Sequence, residues 1–226
     1  MSEVILILGG TKEAAEIADS LVQDKPNARI ISSLAGRTKE PTPLASEVRI
    51  GGFGGPEGLA RYMTQNGVTQ LIDATHPFAT TISKNARKAA AITNVQLDIR
   101  QRSPWKKQAG DNWNEVANLE AARDAIPQNA RVLLALGSQY IAIFASRSDV
   151  HFTIRMVDQP DATPPFKEFT LEMAKPGDLA QETSLLKTHQ ITHIVCRNSG
   201  GSGAYAKIEA ARALGLPVIV IEQASL

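Results

Sequence analysis

Two glycine-bearing loops each stand between an apolar run and a helical pattern, the order that builds an anion cradle. In one, Ile194-Val195-Cys196 leads through Arg197-Asn198-Ser199-Gly200-Gly201-Ser202-Gly203-Ala204-Tyr205-Ala206-Lys207 into an alanine-rich helical stretch; in the other, Val4-Ile5-Leu6-Ile7-Leu8 leads into Gly9-Gly10-Thr11. Glycine lets backbone N–H groups approach a ligand with no Cβ in the way, and a helix start adds unpaired donors and a positive dipole end. The spacing therefore predicts two sites for negatively charged groups, with Gly9, Gly10 and Thr11 at the first and Asn198, Ser199, Gly200 and Gly201 at the second. A tight turn that needs glycine for its backbone angles alone is the other reading of the first loop.

The end of the second strand narrows the first ligand. Gly9-Gly10-Thr11-Lys12-Glu13-Ala14 holds the place of a dinucleotide fingerprint but keeps only its first glycine and closing small residue. Where an acid would hold the ribose hydroxyls of NAD, the chain reads Ser32-Ser33-Leu34-Ala35-Gly36-Arg37-Thr38. Ser33 and Arg37 suit a 2′-phosphate through charge-assisted hydrogen bonds, so NADPH is expected over NADH; taken alone, Arg37 reads equally as a solvated loop cation. Gly51-Gly52-Phe53-Gly54-Gly55 predicts close approach of backbone to ligand, with Gly52 on the cofactor, or else a hinge. Asp73-Ala74-Thr75-His76-Pro77-Phe78-Ala79 falls at the carboxyl end of a strand, where open α/β sheets bind ligands. Thr75, His76 and Pro77 are assigned to the cofactor; His76 either donates or transfers a proton, or merely ties its loop to Asp73. No metal partner lies near it in sequence, so no metal site is expected.

Proton donors are sought among His76, Tyr205 and Lys207, with ordered water as the alternative. Lys207 sits in the first turns of the last helix and can reach back over the glycine loop, or stand solvated. Lys84, Arg100 and Trp105 are assigned to the substrate side, although the Lys84-Arg87-Lys88 cluster and the Arg100/Arg102 pair also read as solvated faces.

The elements that must position these residues follow from periodicity. Strands are expected at Val4–Leu8, Ala28–Ser33, Val48–Ile50, Leu71–Asp73 and Gln96–Ile99, alternating with helices over 11–22, 57–65 and 80–91, the pattern of βα units on a parallel sheet. Residues 100–118 turn polar and read as a crossing between domains. The pattern then restarts, with strands at 132–136, 152–157, 169–173, 194–196 and 218–221 and helices at 119–125, 179–188 and 205–214. The fold class is α/β: two Rossmann-like domains with largely parallel sheets facing an interdomain cleft, residues 1–100 binding the dinucleotide and 101–226 completing the substrate cleft.

Composition bounds the rest. Of 226 residues, 24 are basic and 23 acidic, so no chain-wide field attracts nucleic acid. No apolar run approaches the ~20 residues of a membrane span, and Met1-Ser2-Glu3 enters a strand pattern with no basic leader, so a cytoplasmic protein is expected. The single cysteine, Cys196, excludes an internal disulfide and reads as a buried apolar residue.

Three motifs together, Ile7-Leu8-Gly9-Gly10-Thr11-Lys12-Glu13-Ala14, Asp73-Ala74-Thr75-His76-Pro77-Phe78-Ala79 and Asn198-Ser199-Gly200-Gly201 followed by Ala206-Lys207, resemble the precorrin-6A reductase family of cobalamin biosynthesis. Leu34-Ala35-Gly36-Arg37-Thr38, Ile50-Gly51-Gly52-Phe53-Gly54-Gly55 and Trp105 are similar too. The resemblance implies an NADPH-dependent reduction of precorrin-6A to precorrin-6B, or its cobalt-branch counterpart, which uses NADH. It implies a carboxylate-fringed tetrapyrrole as substrate and other corrin-pathway enzymes as partners. Two other readings stay open: a dinucleotide-binding tetrapyrrole carrier or sensor without turnover, and a short-chain-type reductase. The second lacks the lysine four residues after Tyr140 and Tyr205.

Overall fold

The computed structural model describes residues 3–36, 43–100, 102–160 and 162–223. A break between Arg102 and Ser103 divides the chain into two compact units.

The first unit is a five-stranded sheet in the order β3-β2-β1-β4-β5, formed by β1 (Val4–Leu8), β2 (Arg29–Leu34), β3 (Glu47–Ile50), β4 (Gln70–Asp73) and β5 (Gln96–Ile99). Every pairing in it is parallel. The central strand is apolar at all five positions because both of its faces are covered. Val4, Leu6 and Leu8 join Leu59, Met63, Ala86 and Ala89 of α2 (Pro56–Gln65) and α3 (Thr80–Thr93), while Ile5 and Ile7 join Ala14 and Ala18 of α1 (Lys12–Asp24). The period-2 alternation of a strand thus hands alternate residues to helices on opposite faces.

A tight approach fixes the entry to α2. A Cβ on Gly58 would lie 1.7 Å from the carbonyl oxygen of Phe53, so the loop must move to admit any side chain. Gly58→Ala is expected to cost about 3 kcal/mol in urea unfolding, in the range of other overpacked sites.

The second unit is a six-stranded sheet, β6-β11-β10-β7-β8-β9, again parallel throughout. Its elements are β6 (Trp113–Val116), α4 (Leu119–Asp124), β7 (Arg131–Ala135), β8 (His151–Met156), β9 (Phe169–Met173), α5 (Leu179–Thr188), β10 (His193–Arg197), α6 (Ala206–Leu214) and β11 (Val218–Ile221). The segment read from sequence as a polar crossing contains β6, an edge strand pairing only with β11; Trp113 is buried, and Asn114 and Glu115 are exposed. Two short 3-10 turns, Ser138–Tyr140 and Ala142–Ser146, fill the β7–β8 connection. No helix of the described residues is long and apolar enough to cross a membrane.

Three of the four histidines, His151, His189 and His193, gather toward the amino ends of β8 and β10. Burial, then the Arg131 charge, lowers the pKa of His151, and burial lowers that of His193. Such a group binds fewer protons folded than unfolded, so stability is present above the unfolded value of 6.5 and is lost as pH falls through it toward the lowered folded values. Thermal melts between about pH 7.5 and 5 should show that loss, and His151→Gln with His193→Gln should flatten it.

Candidate functional site

Because the strands of the first sheet run parallel, the loops after Leu8, Leu34, Ile50 and Asp73 emerge along one edge. The chain leaves β1 for β2 and β3, then returns to place β4 on the other side of β1, so the loops after β1 and β4 diverge at a topological switch point. Thr11 spans that point. Its Oγ1 accepts from the amide of Ala14, capping α1, and donates to the carbonyl of Ala74 at 3.1 Å. Gly9 packs where a Cβ would come 3.2 Å from that of Ala14, and its amide bonds the Ser33 carbonyl at 3.0 Å. Gly10 has φ of 105° and space within 4 Å of any Cβ, as does Gly52 without the unusual angle. The first glycine thus makes a close helix–strand contact, and the second leaves an open approach.

The β4 loop is ordered by a buried carboxylate. Asp73, 1% exposed, accepts through Oδ1 from the amide of Thr75 at 3.1 Å and its hydroxyl at 2.6 Å, and that hydroxyl lies 3.4 Å from Ser83 Oγ. Its Oδ2 is buried and has no hydrogen-bond partner among the described residues. Asp73 thus ties its loop through Thr75 rather than through His76. His76 Nδ1 accepts from the amide of Phe78 at 3.2 Å, which puts the proton of the neutral ring on Nε2. Ser33, buried, is the penultimate residue of β2, with no acid among residues 32–36, and Gly36 follows with φ of 73°. Gly9, Gly10, Thr11, Ser33, Gly36, Gly52, Thr75, His76 and Pro77 therefore share one sheet edge. Arg37 lies outside the described residues. Of the expected substrate cations in this unit, Lys84 is exposed on α3, and Arg100 pairs with Asp98 at 2.7 Å.

In the second unit the late glycine loop is stapled from within. Asn198 Oδ1 accepts from the Trp105 amide at 2.7 Å, Asn198 Nδ2 donates to the Trp105 carbonyl at 3.0 Å, and Trp105 Nε1 donates to the Gly201 carbonyl at 2.6 Å. Gly200 and Gly201 both take positive φ, 64° and 68°. Trp105, Gly201, Ser202 and Tyr205 line an open depression of about 530 Å³ with Lys106, Gln108 and Glu209.

Two residues sought as proton donors occupy different roles from those expected. Lys207 does not project from its helix: it is 5% exposed, donates to the Ala204 carbonyl and lies 4.9 Å from the Trp105 ring centroid, with burial lowering its pKa. It is a strut under the loop. Tyr205 accepts at its hydroxyl from Arg212 Nη2 at 2.8 Å and packs on Trp105. Helical spacing places both residues near the loop but gives no sign of these partners. Cys196 is fully buried, and burial pushes its thiol up, against nucleophilic use.

Sequence reasoning missed two further residues at these edges. Arg49, on β3, bonds Ser33; Arg197, ending β10, stacks 3.5 Å from the Tyr140 ring centroid, bringing the loops after β10 and β7 together where the second sheet changes direction. An arginine two residues before a glycine run was the available signal for the first.

Parallel sheets of this kind, the first in Rossmann strand order with glycine loops at its carboxyl edge, define a protein of the Rossmann-like class. Within it, the chain belongs to the family described as Precorrin-6x reductase CbiJ/CobK, which matches residues 4–225. It is similar to the precorrin-6A reductase of Rhodobacter capsulatus, 45% identical over 97% of this chain and 87% of that one. The cobalt-precorrin-6A reductase of Priestia megaterium is 30% identical over 96% and 89%. A solved structure titled CobK precorrin-6A reductase superposes with a TM-score of 0.95 at 44% identity, covering 99% of this chain and 89% of that one.

Proposed function

We propose that this protein reduces precorrin-6A to precorrin-6B with NADPH. The observation that carries the cofactor half is the Thr11 hydroxyl bridging the diverging loops after β1 and β4, beside Gly10, whose Cβ position is open. A dinucleotide fits that edge: Gly9, Gly10 and Thr11 would hold its phosphates, Ser33 its adenosine ribose and the Thr75-His76-Pro77 turn its nicotinamide end. The absence of an acid between Ser32 and Thr38 favours a phosphorylated ribose. Family membership supports the macrocycle as substrate, and 45% against 30% identity favours the cobalt-free form.

NADPH supplies the hydride when bound; the protein's residues orient and desolvate. One carbon of the macrocycle's conjugated system gains the hydride and its neighbour a proton, so one double bond becomes single. Asp73 holds Thr75 in place, and the Asn198–Trp105 staple holds the second glycine loop in the shape that would meet the substrate. Much of the rate is attributed to positioning. With Nδ1 accepting from Phe78, His76 carries its proton on Nε2; the ring is assigned here to orientation, with water delivering the proton. His76→Ala should therefore keep kcat within about tenfold at saturating substrate, below the 10²- to 10⁴-fold loss of a general acid. A larger loss, with a matching change in the pH profile, would return the proton to His76.

Binding is tested by titrating the purified chain with NADPH and NADH in a calorimeter. Tighter NADPH binding supports the cofactor reading, whereas equal affinities or no binding contradict it.

A further inference from the structure

Arg49 faces the end of β2 directly: it is the register partner of Ser33 across the β2–β3 ladder, and its Nη1 donates to Ser33 Oγ at 3.2 Å. The guanidinium is fixed on several sides. Nη1 also donates to the Gly51 carbonyl at 2.5 Å, Nη2 donates to that of Gly52 at 2.7 Å, and the plane lies 3.7 Å from the Phe53 and 5.1 Å from the Tyr62 ring centroids. Among the described residues no carboxylate pairs with it. Of the five N–H donors of a guanidinium, three are used among the described residues, and two are left, on Nε and Nη2. A fork held rigidly by backbone carbonyls and an aromatic face has lost its rotamer freedom before any ligand arrives. The Ser33 hydroxyl, accepting from Arg49, keeps its own proton to donate. The carbon-free space at Gly52 leaves the approach open.

From this we infer that Arg49, with Ser33, is a specificity-determining residue that reads the 2′-phosphate of the dinucleotide, independently of Arg37. The inference rests on the proposed cofactor. A charged fork paired with a phosphate carries discrimination that a hydroxyl alone does not, because the phosphate takes bidentate, charge-assisted bonds. With NADH there is no 2′-phosphate to pair, so affinity for NADH is carried by other groups.

The test measures dissociation constants of NADPH, NADH, 2′,5′-ADP and 5′-ADP for the full chain and for Arg49→Gln, Arg49→Lys and Arg37→Gln. Arg49→Gln should weaken NADPH and 2′,5′-ADP by about 10- to 100-fold while moving NADH and 5′-ADP less than about threefold. Arg49→Lys, which keeps charge but not the fork, should fall between. A purely structural arginine would weaken all four probes together, and that result, or an unchanged NADPH-to-NADH ratio, overturns the inference. The same holds if the whole ratio is lost in Arg37→Gln and none in Arg49→Gln. Should Arg49→Gln fail to fold, Arg49→Lys decides on the same ratio. Equal wild-type affinities for NADPH and NADH would sink the cofactor reading itself and this inference with it; a wild-type preference that survives Arg49→Gln sinks the inference alone.

Discussion

Replacing Glu182 by alanine is expected to cost about 3–5 kcal/mol of stability, a large share of the margin of about 5–15 kcal/mol usual for a folded domain. Glu182 and Arg155 are buried together, with Oε1 and Oε2 accepting from Nη1 and Nη2 at 2.9 and 2.8 Å. Oε1 also accepts from the Gly177 amide at 2.8 Å, just before the Asp178 capping box that starts α5. Arg155 Nε is already buried without a partner, so removing the carboxylate leaves a whole guanidinium uncompensated in the interior. The pair is expensive to break and gives little net stability when intact. Arg155→Met combined with Glu182→Leu should therefore recover most of the loss, because it removes both charges together. Urea unfolding of Glu182→Ala and of the double variant measures this. A double variant no more stable than Glu182→Ala would mean that the pair contributes by its attraction and not merely by avoiding an unpaired charge.

The second large effect is expected on turnover. Asn198→Ala removes both side-chain bonds to the Trp105 backbone and strands a donor and an acceptor in a part-buried position. Stability should fall by about 2–3 kcal/mol from the unmet groups. Activity should fall further, because the loop from Ser199 to Gly203 then loses the segment that holds Trp105 Nε1 on the Gly201 carbonyl. Misplacement of about 1 Å at a positioned site costs on the order of 10²-fold, and a loss of that size in kcat/KM is the expected result under conditions where the variant remains folded. Asn198→Asp keeps the acceptor for the Trp105 amide but cannot donate to its carbonyl, so it should lie between. Full turnover in folded Asn198→Ala would remove the staple from the catalytic account.

The sequence was most legible where residue type states a backbone demand. β1 is apolar throughout, helical patterns separate β1 from β2, β3 from β4 and β4 from β5, and the glycines after β1 and β10 declare open loops. By contrast, β6 was hidden because Trp113-Asn114-Glu115-Val116 is an edge strand with two exposed polar residues, so its sequence carries little apolar signal. The same limit governs the site. That Thr11 would bridge to Ala74, or that Arg49 would sit beside Ser33, depends on strand order and register, and residues 63 and 16 positions apart show no local pattern. Lys207 and Tyr205 illustrate the opposite error. Their spacing suggested groups aimed at a ligand, whereas the Ala204 carbonyl and Arg212 had already claimed them.

We propose that the chain transfers hydride from NADPH to precorrin-6A. That transfer is tested most directly by anaerobic turnover of enzymatically made precorrin-6A with NADPH deuterated at the transferable position, following NADPH absorbance, the macrocycle's spectrum and the product's mass together. The account predicts one NADPH consumed per macrocycle reduced and one deuterium retained in precorrin-6B. Tight binding of both ligands with no NADPH oxidation, or a reduced product that carries no deuterium from NADPH, would contradict it.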